Sequence, residues 1–173
     1  GEVIDTHTAD GLKVAREHDL IVDQLGELER VLVRSGPAAA LPLMSQALPG
    51  FAEAMRQHFF FEERIFYPAL ATTIPTAGII ERILLLQKEH GLMEERLRLL
   101  TQLIQAPCPS AEAFVALVHH ELLDLVNLVK RHAVVEITDI FPRINQNPLC
   151  LKMVLDLAQR ETNKAEKKAT PEA

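Results

Sequence analysis

Four segments of this chain repeat apolar residues at alternating steps of three and four, and each places one histidine on the same stripe. The first reads His18, Ile21, Leu25, Leu28, Leu32, and the second Phe51, Met55, His58, Glu62, Ile65, Ala69. The third is Ile83, Leu86, His90, Met93, Leu97, Leu100, Ile104. The fourth is Phe114, Val118, Glu121, Leu125, Leu128, His132, Val135, with Glu136 beside it. That spacing is one face of an α-helix, and four such faces bury one another as a bundle. No alternating strand pattern competes. The expected fold is all-α: an up-down-up-down four-helix bundle with a short fifth C-terminal helix.

Breaker clusters set the boundaries. SGPAAALP, TTIPTAG, APCPS and PRINQNP predict helices over about 9–34, 43–67, 76–105, 109–141 and 148–165. Ser110 is a candidate N-cap, and Pro49-Gly50 predicts a kink in the second helix or its true start. Residues 1–147 are read as the bundle, and 148–173 as a C-terminal helix with a charged tail, ETNKAEKKATPEA, that frays into solvent. The fifth helix either caps the bundle or offers a dimer face, so a monomer or a homodimer through that helix is expected.

The bulk properties exclude several function classes. A net charge of −6 over 173 residues gives no basic footprint for nucleic acid. No apolar run is long enough for a membrane span, and the N-terminal stretch lacks the regions of a secretion signal. Cys108 and Cys150 form no CxxC pair and are read as reduced thiols of a cytoplasmic protein.

The histidines share a level as well as a face. Residues on consecutive antiparallel helices lie at one height when the turn falls midway between them. The midpoints fall at 38 for His18 and His58, near 75 for His58/Glu62 and His90, and at 111 for His90 and His132. Each is in or beside a breaker. Residues four apart on a helix point the same way, so His58 with Glu62, and His132 with Glu136, are two pairs aimed into one layer. Such a layer carries a heavy desolvation cost unless its groups are paired. A metal centre removes that cost, because it takes neutral imidazole and ionised carboxylate directly. Six inward ligands exceed the needs of one ion, so two metals fit better. The mixed donor set suits iron, with manganese or zinc as alternatives. The ferritin-like order, Glu-x-x-His with a Glu on each remaining helix, does not match.

The series His18, H58-FFF-E62, His90, H132-AVV-E136, followed by EERIFYP and TDIFP, resembles the hemerythrin / HHE cation-binding family over about residues 10–145. The resemblance implies a hemerythrin-like bundle around a non-haem di-iron centre, oxo- or hydroxo-bridged. By motif, Glu62 and Glu136 would bridge, His18 and His58 would bind one iron, and His90 and His132 the other. Oxygen-carrying members have a further histidine four residues after the third-helix ligand; here that position is Glu94. If Glu94 is a ligand one coordination position stays open, and otherwise each iron has one. The function implied is binding of O2 or a related small ligand (NO or peroxide). The alternatives are a di-iron enzyme or iron donor (peroxide or NO handling, repair of iron centres) and an iron or oxygen sensor acting through a partner.

The remaining polar and aromatic residues are read structurally. HFFFEERIFYP and HAVVEITDIFP align at His, at Glu four later and at Pro ten later. Phe66, Tyr67 and Phe141 are expected to pack the bundle end, and each proline to close its helix. Phe59, Phe60 and Phe61 wall the pocket or pack between helices, and Glu63 faces solvent or supports a ligand. His119, His120 and Glu121 lie about 16–20 Å along the axis from His132 and pair locally; Glu121, on the stripe, requires a partner. His7 lies in a frayed end.

Overall fold

The computed structural model describes residues 13–106 and 111–169, with the side chains of 13–18, 37 and 111 outside that description. His7, Cys108 and Ser110 lie outside the described residues. All regular structure among those described is helical.

α1 (Lys13–Phe61) contains the first two rods of the bundle. They are joined at Gly36, whose φ of 75° and ψ of 179° are open to glycine and almost nothing else. A loop was expected over SGPAAALP, yet one residue makes the turn. Pro37 can open the next rod because a proline at the first helical position loses no useful N–H. Leu20, Ile21 and Leu28 line one groove with Ala47, Phe51 and Ala54, so the two arms run alongside each other.

Pro49-Gly50 neither breaks nor begins the second rod. Gly36 is the sole non-helical residue inside α1. Met44, Leu48, Phe51 and Met55 are all buried around this point. At about 1.5–3 kcal/mol per buried apolar side chain, they outweigh the roughly 3 kcal/mol an interior proline costs.

The second rod continues through a π-helical turn (Glu62–Phe66) into α2 (Tyr67–Thr73). Thr76 caps α3 (Ala77–Gln105) by accepting from the Ile79 N–H at 3.3 Å. α4 (Ala111–Val135) passes through a second π turn (Glu136–Ile140) into α5 (Phe141–Gln146). The prolines therefore do not close the helices. Each follows its π turn and sits in the first turn of the continuing helix, where a missing N–H is harmless. The chain then turns at Asn147, whose side chain accepts from the Cys150 N–H at 3.0 Å. α6 (Pro148–Ala169) runs past the expected end, with Lys167 and Lys168 in its last turn, where positive charge suits the helix dipole.

Two apolar cores result. One joins Leu25, Leu32, Met55, Phe59, Met93, Leu122 and Val129 with their neighbours. The other joins Ile65, Phe66, Leu86, Ile140 and Phe141 to Cys150 and Val154 of α6. Between Met55 and Ile65, between Met93 and Leu86, and between Val129 and Ile140, the chain places His58/Glu62, His90 and His132/Glu136. A polar layer is thus held between two dry ones. On α4 it is Leu122 rather than Glu121 that is fully buried. Among the described residues no helix is long and apolar enough to cross a membrane.

Candidate metal centre

Within the layer, one atom each from Glu62, His90, His132 and Glu136 lies within 4.8 Å of the others, and all four residues are buried. His58 Nε2 lies 2.8 Å from Glu62 Oε1, and His90 Nε2 lies 2.9 Å from Glu62 Oε2. His132 Nε2 lies 3.2 Å from Glu136 Oε1. The His58 and His132 pairs follow from the four-residue spacing within one helix; the His90 contact is made by packing.

The outward ring nitrogens are held by carboxylates. His90 Nδ1 meets Glu63 Oε1 at 2.8 Å, and His132 Nδ1 meets Glu89 Oε2 at 2.8 Å. An ionised carboxylate only accepts, so each ring keeps a proton on Nδ1 and turns Nε2 inward, where a neutral ring presents a lone pair. Yet His90 Nε2 and His132 Nε2 face each other at 3.2 Å. Two neutral rings in these tautomers would bring lone pair against lone pair. A proton or a cation between them resolves the conflict.

The charges of the metal-free cluster follow from that conflict. Burial alone would lower His132, but the hydrogen bond to Glu136 and the nearby charge of Glu62 outweigh it and push the imidazole up to about 10. Burial would likewise raise Glu62; the charge of His58, its hydrogen bonds with His58 and His90, and the proximity of His132 prevail and hold its carboxyl well below the usual range. The cluster thus sets the ionised Glu62 carboxylate against the positive charge of His132. It is a donor set that fits a cation.

Residues 13–144 match the family described as Hemerythrin HHE cation binding domain. The chain belongs to that family. No curated protein and no solved structure gives a significant match. In this HHE chain the structure brings together five of the expected site residues: His58, Glu62, His90, His132 and Glu136. His18 lies on α1, its side chain outside the described residues. Glu94 is not brought to the cluster. It is exposed in a groove with Arg56 and Arg98, while its neighbour Met93 is buried at the layer.

Sequence reasoning missed two residues of this HHE site. Glu89 is buried and holds His132, as described above. Tyr67, assigned to end packing, places its hydroxyl 3.2 Å from Glu136 Oε1 and 3.3 Å from His90 Nε2. Burial first, then the charges of Glu62 and Glu136, push its phenol far above the ordinary value, so without metal it donates to Glu136. Its ring and that of Phe59 both stack against His90, Phe59 at 4.0 Å and 12°. Phe66 and Phe141 do pack together in the second core, edge to face at 5.5 Å. A phenol at 67 aligned with a phenylalanine at 141 was the available signal for Tyr67. Glu63 takes the supporting place, and Glu121 finds its partner in Arg96 at 3.0 Å. His119 and His120 face Glu29 and Asp124.

Proposed function

We propose that this chain is a non-haem di-iron protein that binds O2, or a related small ligand such as NO or peroxide, at the buried layer. The observation that carries the reading is a cavity of about 10 Å³ lined by His58 and His132 and otherwise by Ile21, Met55, Phe59, Met93 and Val129. Space for about one water-sized probe suits a diatomic and excludes organic substrates. In this reading His18, His58, His90 and His132 would hold the ions, the last three turning Nε2 to the layer, and Glu62 and Glu136 would supply carboxylates to both. Iron, when bound, supplies a coordination position and the electrons that O2 or NO requires.

The chain's own residues do the rest. Glu63 and Glu89 fix the tautomers of His90 and His132. Phe59 lies flat on His90, and with Met55, Met93 and Val129 it keeps bulk water from the cavity. Among the described residues lining that cavity, only the two imidazoles carry an exchangeable side-chain proton, which favours release of the ligand unchanged.

The test is elemental analysis of the purified chain, followed by spectra of the reduced protein in air and under vacuum. About two irons per chain, lost together in His58→Ala, and a spectrum that returns when oxygen is removed are expected. Zinc, a single ion or an irreversible change on first exposure to air would overturn the reading.

A further inference from the structure

Four atoms in the layer form a closed ring of nearly equal sides. His90 Nε2 to His132 Nε2 is 3.2 Å, His132 Nε2 to Glu136 Oε1 is 3.2 Å, Glu136 Oε1 to Tyr67 Oη is 3.2 Å, and Tyr67 Oη to His90 Nε2 is 3.3 Å. Three of these atoms belong to residues that the family motif marks. The fourth is the phenol of Tyr67, which the sequence assigned to packing rather than to the ligand set.

Hydrogen bonding alone does not satisfy this ring. His90 Nε2 faces Tyr67 Oη at 3.3 Å, His132 Nε2 at 3.2 Å and Glu62 Oε2 at 2.9 Å, and one ring nitrogen, whether it carries a hydrogen or a lone pair, serves one of the three. A single cation inside the ring satisfies all four sides at once. Donors about 2.0–2.2 Å from one ion stand about 3 Å from their neighbours, close to the sides found. Glu62 Oε2, 2.9 Å from His90 Nε2 and 3.9 Å from His132 Nε2, lies to one side as a further donor.

We propose that Tyr67 is itself a metal ligand, binding the same ion as His90, His132 and Glu136. The proposal rests on the metal-centre reading above. On binding, the phenol O–H bond breaks, the oxygen's electron pair is shared with the ion, and the proton leaves to water. A bound cation reverses the local field that keeps the phenol protonated in its absence, as it does for coordinating thiols. The two halves of the centre then differ, because the position matching Tyr67 in the second motif is Phe141. One ion has a phenolate and the other does not.

The chain offers an unusually clean test, since Tyr67 is its only tyrosine and it has no tryptophan. The iron-loaded, air-oxidised full chain is expected to show a visible phenolate-to-iron absorption, with tyrosine ring vibrations enhanced on resonance Raman excitation within it. Zinc titration, which gives no such absorption, is expected to produce the near-ultraviolet difference spectrum of a tyrosinate. Tyr67→Phe should keep its metal, because phenylalanine fills the matching position at 141, and should lose both signals completely. Metal uptake without either tyrosinate signal, or signals that persist in Tyr67→Phe, overturns the proposal alone. A wild-type chain that takes up no metal overturns the metal-centre reading, and this proposal with it.

Discussion

Glu89 Oε2 lies 2.8 Å from His132 Nδ1, and its other oxygen lies 3.9 Å from Arg131 Nε at the surface. A residue adjacent to one inward histidine thus holds another inward histidine on a different helix. Fixing an imidazole tautomer from behind raises its strength as a ligand, and losing such a partner costs about 10–100-fold in metal affinity. Glu89→Ala is expected to lose that much in competition with a chelator, and Glu89→Gln, which can still accept from Nδ1, to lose less. Affinity unchanged in both variants would reduce Glu89 to an ion-pair partner of Arg131.

Much of the layer was legible because α-helical periodicity governs His58, Glu62, His90, His132 and Glu136. Tyr67 was not, and the reason is geometric. Five residues cover about 140° beyond a full turn of an α-helix, which carries position 67 away from the face of Glu62. The π turn replaces that spacing: the Tyr67 N–H bonds the Glu62 carbonyl five residues back, and the Phe141 N–H does the same to Glu136. Residues five apart are thereby brought nearly one above the other, and the aromatic after each motif swings inward. The proline next in sequence is the visible trace of that turn, since an uninterrupted α-helix would bring its ring against the carbonyl four residues earlier. Glu89 was hidden for a different reason. A glutamate next to a ligand histidine reads as a surface charge until the packing of α3 on α4 is known.

The metal-free protein should have a defined pH window. Glu62 is depressed below its ordinary 4.5, so its contribution to stability is present above that pH and fades as pH falls through the folded value. His132 is raised from 6.5 to about 10, so its contribution is complete below 6.5 and fades as pH rises toward 10. Chelator-treated protein is therefore expected to be most resistant to urea between about pH 4.5 and 6.5 and to weaken on the alkaline side. Stability that instead climbs from 6.5 to 10 would contradict the assignment of a charged His132.

The same proton must leave when a cation enters. Midway between pH 6.5 and 10, metal binding is expected to release at least one proton, seen as a binding enthalpy that changes with the ionisation enthalpy of the buffer. Apparent affinity should rise with pH over this range. Equal enthalpies in two buffers of different ionisation enthalpy would mean that His132 is already neutral in the metal-free protein.

Two glycines of α1 should respond oppositely to the same substitution. An added Cβ meets nothing within 4 Å at Gly26 or Gly36, so space does not separate them; backbone angle does. Gly36 sits at φ 75° and ψ 179°, where alanine is strained by about 1–3 kcal/mol. Gly26 is helical, and alanine there should stabilise by about 0.5–1 kcal/mol. Urea midpoints of Gly36→Ala and Gly26→Ala should therefore move in opposite directions. Midpoints that move together would show that the turn between the arms does not depend on Gly36.

Met93 is the sharpest probe of ligand size. It is fully buried, lines the small cavity with His58 and His132, and sits one residue before the exposed Glu94. Met93→Ala removes side-chain volume on the cavity side without touching a proposed ligand. The lost burial and the enlarged void should cost about 2–5 kcal/mol of stability, so the variant is best measured in the metal-loaded state, which binding stabilises. In the wild-type protein NO should bind, while an alkyl isocyanide should bind weakly or not at all, because a cavity of about 10 Å³ has no room for its tail. In Met93→Ala the isocyanide should gain far more affinity than NO does. If both ligands shift equally, access to the ions runs elsewhere and Met93 only packs the core. If the wild-type protein already takes the isocyanide as readily as NO, the cavity does not set ligand size, and the choice of a diatomic ligand loses its support.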